Sequence, residues 1–263
     1  MHVQHCNSSR RFGRILVILF AVGSVIQPLS IIAANVPGST NQVSYAEANN
    51  LGHPSTTPAD RPLRKGWLER HNRYCARAAQ GGVDLVFLGD SLTQRWEGAP
   101  AVWQKYYGRR NAVQMGIDND GTQQILWRLD HGTLDGIQPK LIVLLIGINN
   151  LGNDNATPEQ VCKGVAAILE RICKKLPRTK VLVIGVLPCD SPGVNRATKI
   201  KATNSLLAQL ADGKTVDFLD IGDQLLVDGK VNPEIQPDGT HLSAKGYAIY
   251  AEAIESRVHE LMN

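Results

Sequence analysis

Five short apolar runs punctuate the chain: Val83–Leu88, Ala112–Met115, Leu141–Gly147, Val181–Val186 and Val216–Leu219. Each is nearly continuous rather than alternating, the pattern of a strand buried on both faces of a parallel sheet. Between them lie stretches of helical period. Leu63 to Gln80 places Trp67, Leu68, His71 and Cys75 near one face, and Gly81-Gly82 ends it. A loop and short helix carry Trp96, Trp103 and Tyr107; Gln123 to Leu129 forms the next helix. Thr157-Pro158-Glu159-Gln160 has a threonine cap and a first-turn proline, opening a helix that runs towards Leu176. Lys199 to Leu210 and Ser243 to Leu261 complete the set. Strands alternating with helices predict an α/β fold: a three-layer, doubly wound, five-stranded parallel sheet with helices on both faces.

The N-terminus has a different pattern. Arg10, Arg11 and Arg14 precede an apolar stretch from Ile15 to Ile26, and Ile31-Ile32-Ala33-Ala34 offers a cleavage site near Ala34. This is the layout of a secretory signal over residues 1–34. Gln27, Pro28 and Ser30 interrupt the run and argue against a membrane-spanning helix, with an uncleaved anchor as the other reading. The expected location is secreted or periplasmic, with no stable membrane insertion after cleavage. Residues 35–62 are polar and broken by Pro37, Gly38, Pro54, Pro58 and Pro62, so they read as a flexible linker. The folded domain is expected over 63–263.

Charge and cysteines narrow the function classes. The net charge of +4 includes the three arginines of the leader, so the remainder is nearly balanced and gives no sign of a nucleic-acid surface. Cys6 would leave with the leader, and Cys75, Cys162, Cys173 and Cys189 remain. Cys162 and Cys173 lie on one predicted helix, about 16 Å apart at 1.5 Å per residue, too far to bond each other. Free thiols and one or two bridges among the four both remain open. No zinc spacing, Gly-x-Gly-x-x-Gly or Walker pattern is present, so neither a metal nor another cofactor is expected.

The candidate chemistry sits where strands end. Val83–Leu88 stops at Gly89-Asp90-Ser91-Leu92, leaving a hydroxyl at the carboxyl end of a strand, where open α/β sheets place their ligands. A turn with a helix cap explains those residues equally well when they stand alone. Gly147-Ile148-Asn149-Asn150 follows the strongest strand, and its carboxamide N–H can meet developing negative charge; a simple turn is the alternative. Gly116-Ile117-Asp118-Asn119-Asp120-Gly121 is a loop of small polar residues with exposed backbone N–H groups. Before the last helix, Asp238 and His241 are three residues apart, close enough for the carboxylate to orient the imidazole. Alternatively, Asp238 or Ser243 caps the helix and His241 is a surface residue.

In order and spacing, the blocks Gly89-Asp90-Ser91-Leu92, Gly147-Ile148-Asn149-Asn150 and Asp238-Gly239-Thr240-His241 resemble those of the SGNH (GDSL-type) hydrolase family. Gly116-Ile117 through Asp120 and Leu126-Trp127-Arg128-Leu129 resemble its platelet-activating-factor acetylhydrolase-like branch. The resemblance spans about Leu63 to the end and implies the flavodoxin-like fold of that family. It assigns Ser91 as nucleophile, His241 as base and later acid, and Asp238 as its orienter. The oxyanion hole it implies takes the Ser91 N–H, a backbone N–H at Asn119 and the Asn149 side chain. Asn119 stands where the family usually has glycine, and Asn150 where many relatives have aspartate. The implied function is a secreted serine esterase acting without a cofactor on a short-chain ester, such as an acetyl ester of a carbohydrate or lipid. A glycan-binding module on the same fold and an acyltransferase with the same triad are the alternatives. The partner expected is a small acyl ester or acetylated glycan or lipid; oligomeric state is not readable.

Overall fold

A computed structural model describes residues 54–190 and 196–263. The expected signal segment, most of the linker and the stretch 191–195 lie outside the described residues.

The apolar runs form the strands because only a buried sheet removes both of their faces from water. β1 (Leu85–Gly89) is buried throughout and pairs in parallel with β2 (Ala112–Gly116) and β3 (Leu141–Leu145). β4 (Lys180–Ile184) adds to β3, and β5 (Val216–Leu219) closes the edge, giving the order β2-β1-β3-β4-β5. The chain leaves β1 for β2 on one side and then returns past it to β3. The switch point of the sheet therefore lies between the carboxyl ends of β1 and β3, where open α/β sheets form their ligand crevice.

Helices cover both faces. α1 (Trp67–Ala79) lies against α4 (Thr122–Asp130) through Trp67 and His71 on Trp127. α6 (Pro158–Lys175) packs between α4 and α7 (Arg196–Leu207). On the other face α3 (Pro100–Tyr107) packs on the last helix, α8 (Ala244–Met262). Two very short helices, α2 (Ser91–Gln94) and α5 (Ile148–Gly152), start directly after β1 and β3. Thr157 caps α6 as its sequence predicts, accepting from the Gln160 N–H.

Several expectations are revised. β3, expected to run to Gly147, ends at Leu145 because Gly147, at φ +126°, turns the chain into α5. Leu68 is not on the apolar face of α1 but 48% exposed; the buried face is Trp67, His71, Tyr74 and Ala78. The stretch 54–62, expected as part of a flexible linker, is packed on the domain: Ser55 is fully buried and its carbonyl accepts from Thr122 Oγ1 at 2.8 Å. A two-residue hairpin, β6 (Leu226–Val227) with β7 (Lys230–Val231), turns on Asp228-Gly229, both at positive φ. The aromatic stretch Trp96–Tyr107, expected as a loop and short helix, contributes to the core. Trp96 and Tyr107 are buried; Trp96 meets Phe87 and Tyr107 edge-on, and the Phe87–Tyr107 and Trp96–Tyr247 pairs are tilted. Cys75, Cys162, Cys173 and Cys189 are free thiols.

Candidate active site

Gly89 and Gly116 face each other in register at the ends of β1 and β2. A Cβ on Gly89 would collide with the Leu145 carbonyl and the Thr93 hydroxyl, and one on Gly116 with the Gln94 N–H. Only glycine lets α2 cross the strand ends this closely. Asp90 caps α2, accepting the Leu92 N–H on Oδ1 at 2.9 Å. The cap expected of Gly-Asp-Ser is thus supplied by Asp90. Ser91, the first residue of α2, keeps its hydroxyl clear of the capping work, and its backbone N–H is one of the four that a helix cannot satisfy internally.

Across from it, 150 residues further on, His241 Nε2 lies 2.9 Å from Ser91 Oγ. His241 Nδ1 lies 2.7 Å from Asp238 Oδ2. A carboxylate only accepts, so Nδ1 carries the proton and Nε2 is left to accept from the serine hydroxyl. Asp238 Oδ1 accepts the backbone N–H groups of Thr240 at 3.0 Å and His241 at 2.7 Å. Partial burial opposes ionisation of Asp238, but these N–H groups and the imidazole outweigh it and hold the carboxyl down at about 2. Arg95 Nη1 stands 3.8 Å from the same carboxylate. Ser243, not Asp238, caps α8 through the Gly246 N–H at 3.2 Å, which releases Asp238 for the histidine. Tyr247 on α8 donates to the Leu92 carbonyl at 2.7 Å and so pins the histidine-bearing element to the serine-bearing one.

The third group lies on α5 and on the loop after β2. Asp120 N–H donates to the Ile117 carbonyl at 3.2 Å, closing a turn whose third residue, Asn119, sits at φ +68°. Asparagine tolerates this left-handed backbone, which explains how it stands in a glycine position. Asn149 Nδ2 donates to the Asp120 carbonyl at 2.8 Å and lies 3.5 Å from Asp90 Oδ2, which links it to the turn at Ser91. Burial pushes the Asp90 carboxyl up to about 8. Asn150 does not need to be aspartate here: its carboxamide accepts the Thr122 N–H at 2.9 Å and donates to Gln123 Oε1 at 2.8 Å.

The structure therefore joins Ser91, His241 and Asp238 in one hydrogen-bonded chain and sets Asn119 and Asn149 together beside it. Two residues of this site carry no motif, and a third, Arg128, comes from the Leu126-Trp127-Arg128-Leu129 block. Asn153 bridges Asn119 Oδ1 at 2.5 Å and Asn149 Oδ1 at 3.3 Å. Gln236 is buried and spans the Pro188 and Thr240 carbonyls, at 2.8 and 3.0 Å, which fastens the Asp238–His241 loop. Arg128 is fully buried and pairs with Asp120 at 2.8 Å. The i, i+4 spacing of Asn149 and Asn153 is the one signal that could have shown the first, had α5 been read as a helix. Among the described residues no group of three or more His, Cys, Asp or Glu is placed to hold a metal ion. Chemically, the arrangement can move the serine proton to Nε2 and leave an alkoxide beside backbone and carboxamide N–H donors.

The profile of the GDSL-like Lipase/Acylhydrolase family matches residues 87–249, which run from β1 through the serine and asparagine blocks and past His241. The chain belongs to this family. Among curated relatives of this acylhydrolase is platelet-activating factor acetylhydrolase IB subunit alpha1 of Homo sapiens, 33% identical over 198 residues, covering 74% of this chain and 84% of the relative. A GDSL-like lipase from Bacteroides thetaiotaomicron superposes with a TM-score of 0.58 at 22% identity, over 72% of this chain and 97% of the other. An acetyl xylan esterase superposes with a TM-score of 0.54 at 20% identity, over 67% and 100%. The two structural likenesses establish the shared α/β fold. Family membership makes this acylhydrolase a carboxylic ester hydrolase.

Proposed function

We propose that this acylhydrolase is an exported serine esterase that removes a short acyl group, acetyl in the first instance, from a carbohydrate or lipid through an acyl-enzyme on Ser91. The observation that carries the reading is the continuous chain from Ser91 Oγ to His241 Nε2 at 2.9 Å and from His241 Nδ1 to Asp238 at 2.7 Å. Ser91 Oγ attacks the ester carbonyl as His241 takes its proton, and Asp238 stabilises the imidazolium. The oxyanion of the tetrahedral intermediate is received by the Ser91 N–H, the Asn119 N–H and the second N–H of Asn149 Nδ2. His241 returns the proton to the leaving alcohol, and the acyl-enzyme forms. Water, deprotonated by the same histidine, then releases the acid and restores Ser91.

Two observations support a small acyl group. Asn119 places a side chain where glycine would leave room, and Asn153 ties that side chain to Asn149. The wall beside the reacting carbonyl is then polar and narrow, a poor seat for a long alkyl chain. The human relative and one structural neighbour are also named for acetyl esters. Ser91→Ala is expected to abolish release of p-nitrophenol from p-nitrophenyl acetate without lowering the Tm by more than a few degrees; retained turnover would overturn the assignment. Export rests on the basic, then apolar, then small-residue pattern of residues 1–34. Intact mass of the exported protein is expected to place its N-terminus just after Ala34, and an unprocessed chain would contradict it.

A further inference from the structure

The family match begins at residue 87, yet the stretch 54–67 runs along the loop after β2 and the first turn of α4 and touches them at five places. Thr122 Oγ1 donates to the Ser55 carbonyl at 2.8 Å, and the Ala59 N–H donates to the Gln123 carbonyl at 3.1 Å. Arg61 Nη2 reaches Gln124 Oε1 at 3.3 Å, and Arg64 pairs with Asp118. Last, Trp67 Nε1 donates to Asp120 Oδ1 at 2.7 Å.

Asp120 is where these contacts meet the chemistry. It is fully buried, and its second carboxylate oxygen accepts from Arg128 Nη1 at 2.8 Å. Arg128 in turn donates to the Met115 carbonyl near the end of β2 at 2.5 Å. The backbone carbonyl of the same Asp120 accepts from Asn149 Nδ2 at 2.8 Å. A carboxamide is planar, so holding one of its N–H groups on that carbonyl fixes the direction of the other. Without the indole N–H, a carboxylate oxygen would be left short of a donor inside the protein, and the loop carrying the carbonyl would shift to repair it.

We propose that residues 54–67 are a strap that sets the aim of Asn149, with Trp67 as the positioning residue that acts through Asp120. This rests on the reading of Asn149 as an oxyanion donor. A purely structural Trp67, packed on Trp127 with ring centroids 5.3 Å apart, would instead affect only how much protein is folded.

The experiment is a double-mutant cycle in the full chain, with p-nitrophenyl acetate as substrate and active sites counted by stoichiometric organophosphonate labelling. Trp67→Phe keeps a ring in the core and removes the N–H. It is expected to lower kcat per labelled site roughly tenfold while KM stays within about twofold. Asn149→Ala alone is expected to lower kcat by roughly two to three decades. In that background Trp67→Phe should change kcat by less than about twofold, because the group it aims is gone. A loss of the same size with and without Asn149, or no loss in kcat from Trp67→Phe alone, overturns the strap. An Asn149→Ala enzyme with full activity removes the oxyanion assignment and the strap together. If Trp67→Phe does not fold, Arg64→Ala at the exposed part of the strap enters the same cycle. A loss in kcat that vanishes without Asn149 supports the strap; an additive loss, or none, overturns it.

Discussion

In the proposed reaction Asn119 bounds the space beside the reacting ester. Its backbone is held at φ +68° by the turn from Ile117 to Asp120, and its side chain is held by Asn153. Glycine adopts the same backbone without strain, so Asn119→Gly changes the wall and leaves the N–H donor in place. We expect it to raise the kcat/KM for p-nitrophenyl butyrate relative to the acetate by roughly tenfold, the worth of one or two methylenes in a pocket. An unchanged ratio would show that Asn119 does not bound the acyl site. At this scale the sequence exposes residues whose partner is local or whose neighbours are forced. Asp238 and His241 are three apart on one loop, and Ser91 follows a glycine that the strand crossing requires. Gln236 and Trp67 stay hidden because the Pro188 carbonyl and Asp120 come from other segments, and Asn153 because α5 is too short to show its i, i+4 spacing.

Helix α1 shows what periodicity reveals and where it stops. The apolar face of α1 was expected to include Leu68, but it runs through Trp67, His71, Tyr74 and Ala78. Tyr74 enters the core because its hydroxyl finds the Gly116 carbonyl at 2.8 Å, a compensation that hydropathy does not register. The strands were easier, since runs such as Leu141–Leu145 are apolar on both faces and have no other stable place. The short helix α5 and the β6–β7 hairpin are each too brief to establish a period. His71 makes α1 testable. Burial, and then the charge of Arg128, lower its pKa from 6.5 to about 4, so the fold binds the neutral ring. Its contribution is complete above pH 6.5 and is lost progressively as pH falls towards 4, where the unfolded chain takes up a proton that the folded one refuses. The full span corresponds to roughly 3 kcal/mol. His71→Gln does not titrate, so the wild-type Tm should fall relative to the variant between pH 6.5 and 4; parallel curves would contradict the assignment.

For the whole molecule, the strand order β2-β1-β3-β4-β5 does what no single motif can. It brings the ends of β1, β2 and β3 side by side, so Ser91, Asn119 and Asn149 converge although the chain separates them widely. The loop before α8 then brings His241 to Ser91 from near the C-terminus, and α8 is fastened to α2 by Tyr247 on the Leu92 carbonyl. In the proposed reaction this convergence makes Ser91 the nucleophile. The direct measurement is to mix the enzyme with p-nitrophenyl acetate, quench in acid within the first turnover and map the adduct by peptide mass spectrometry. The account predicts one acetyl group on the peptide carrying Ser91, and none in Ser91→Ala. Acetate release with no adduct on Ser91 at any quench time, or an adduct on another residue that turns over at the catalytic rate, would contradict it.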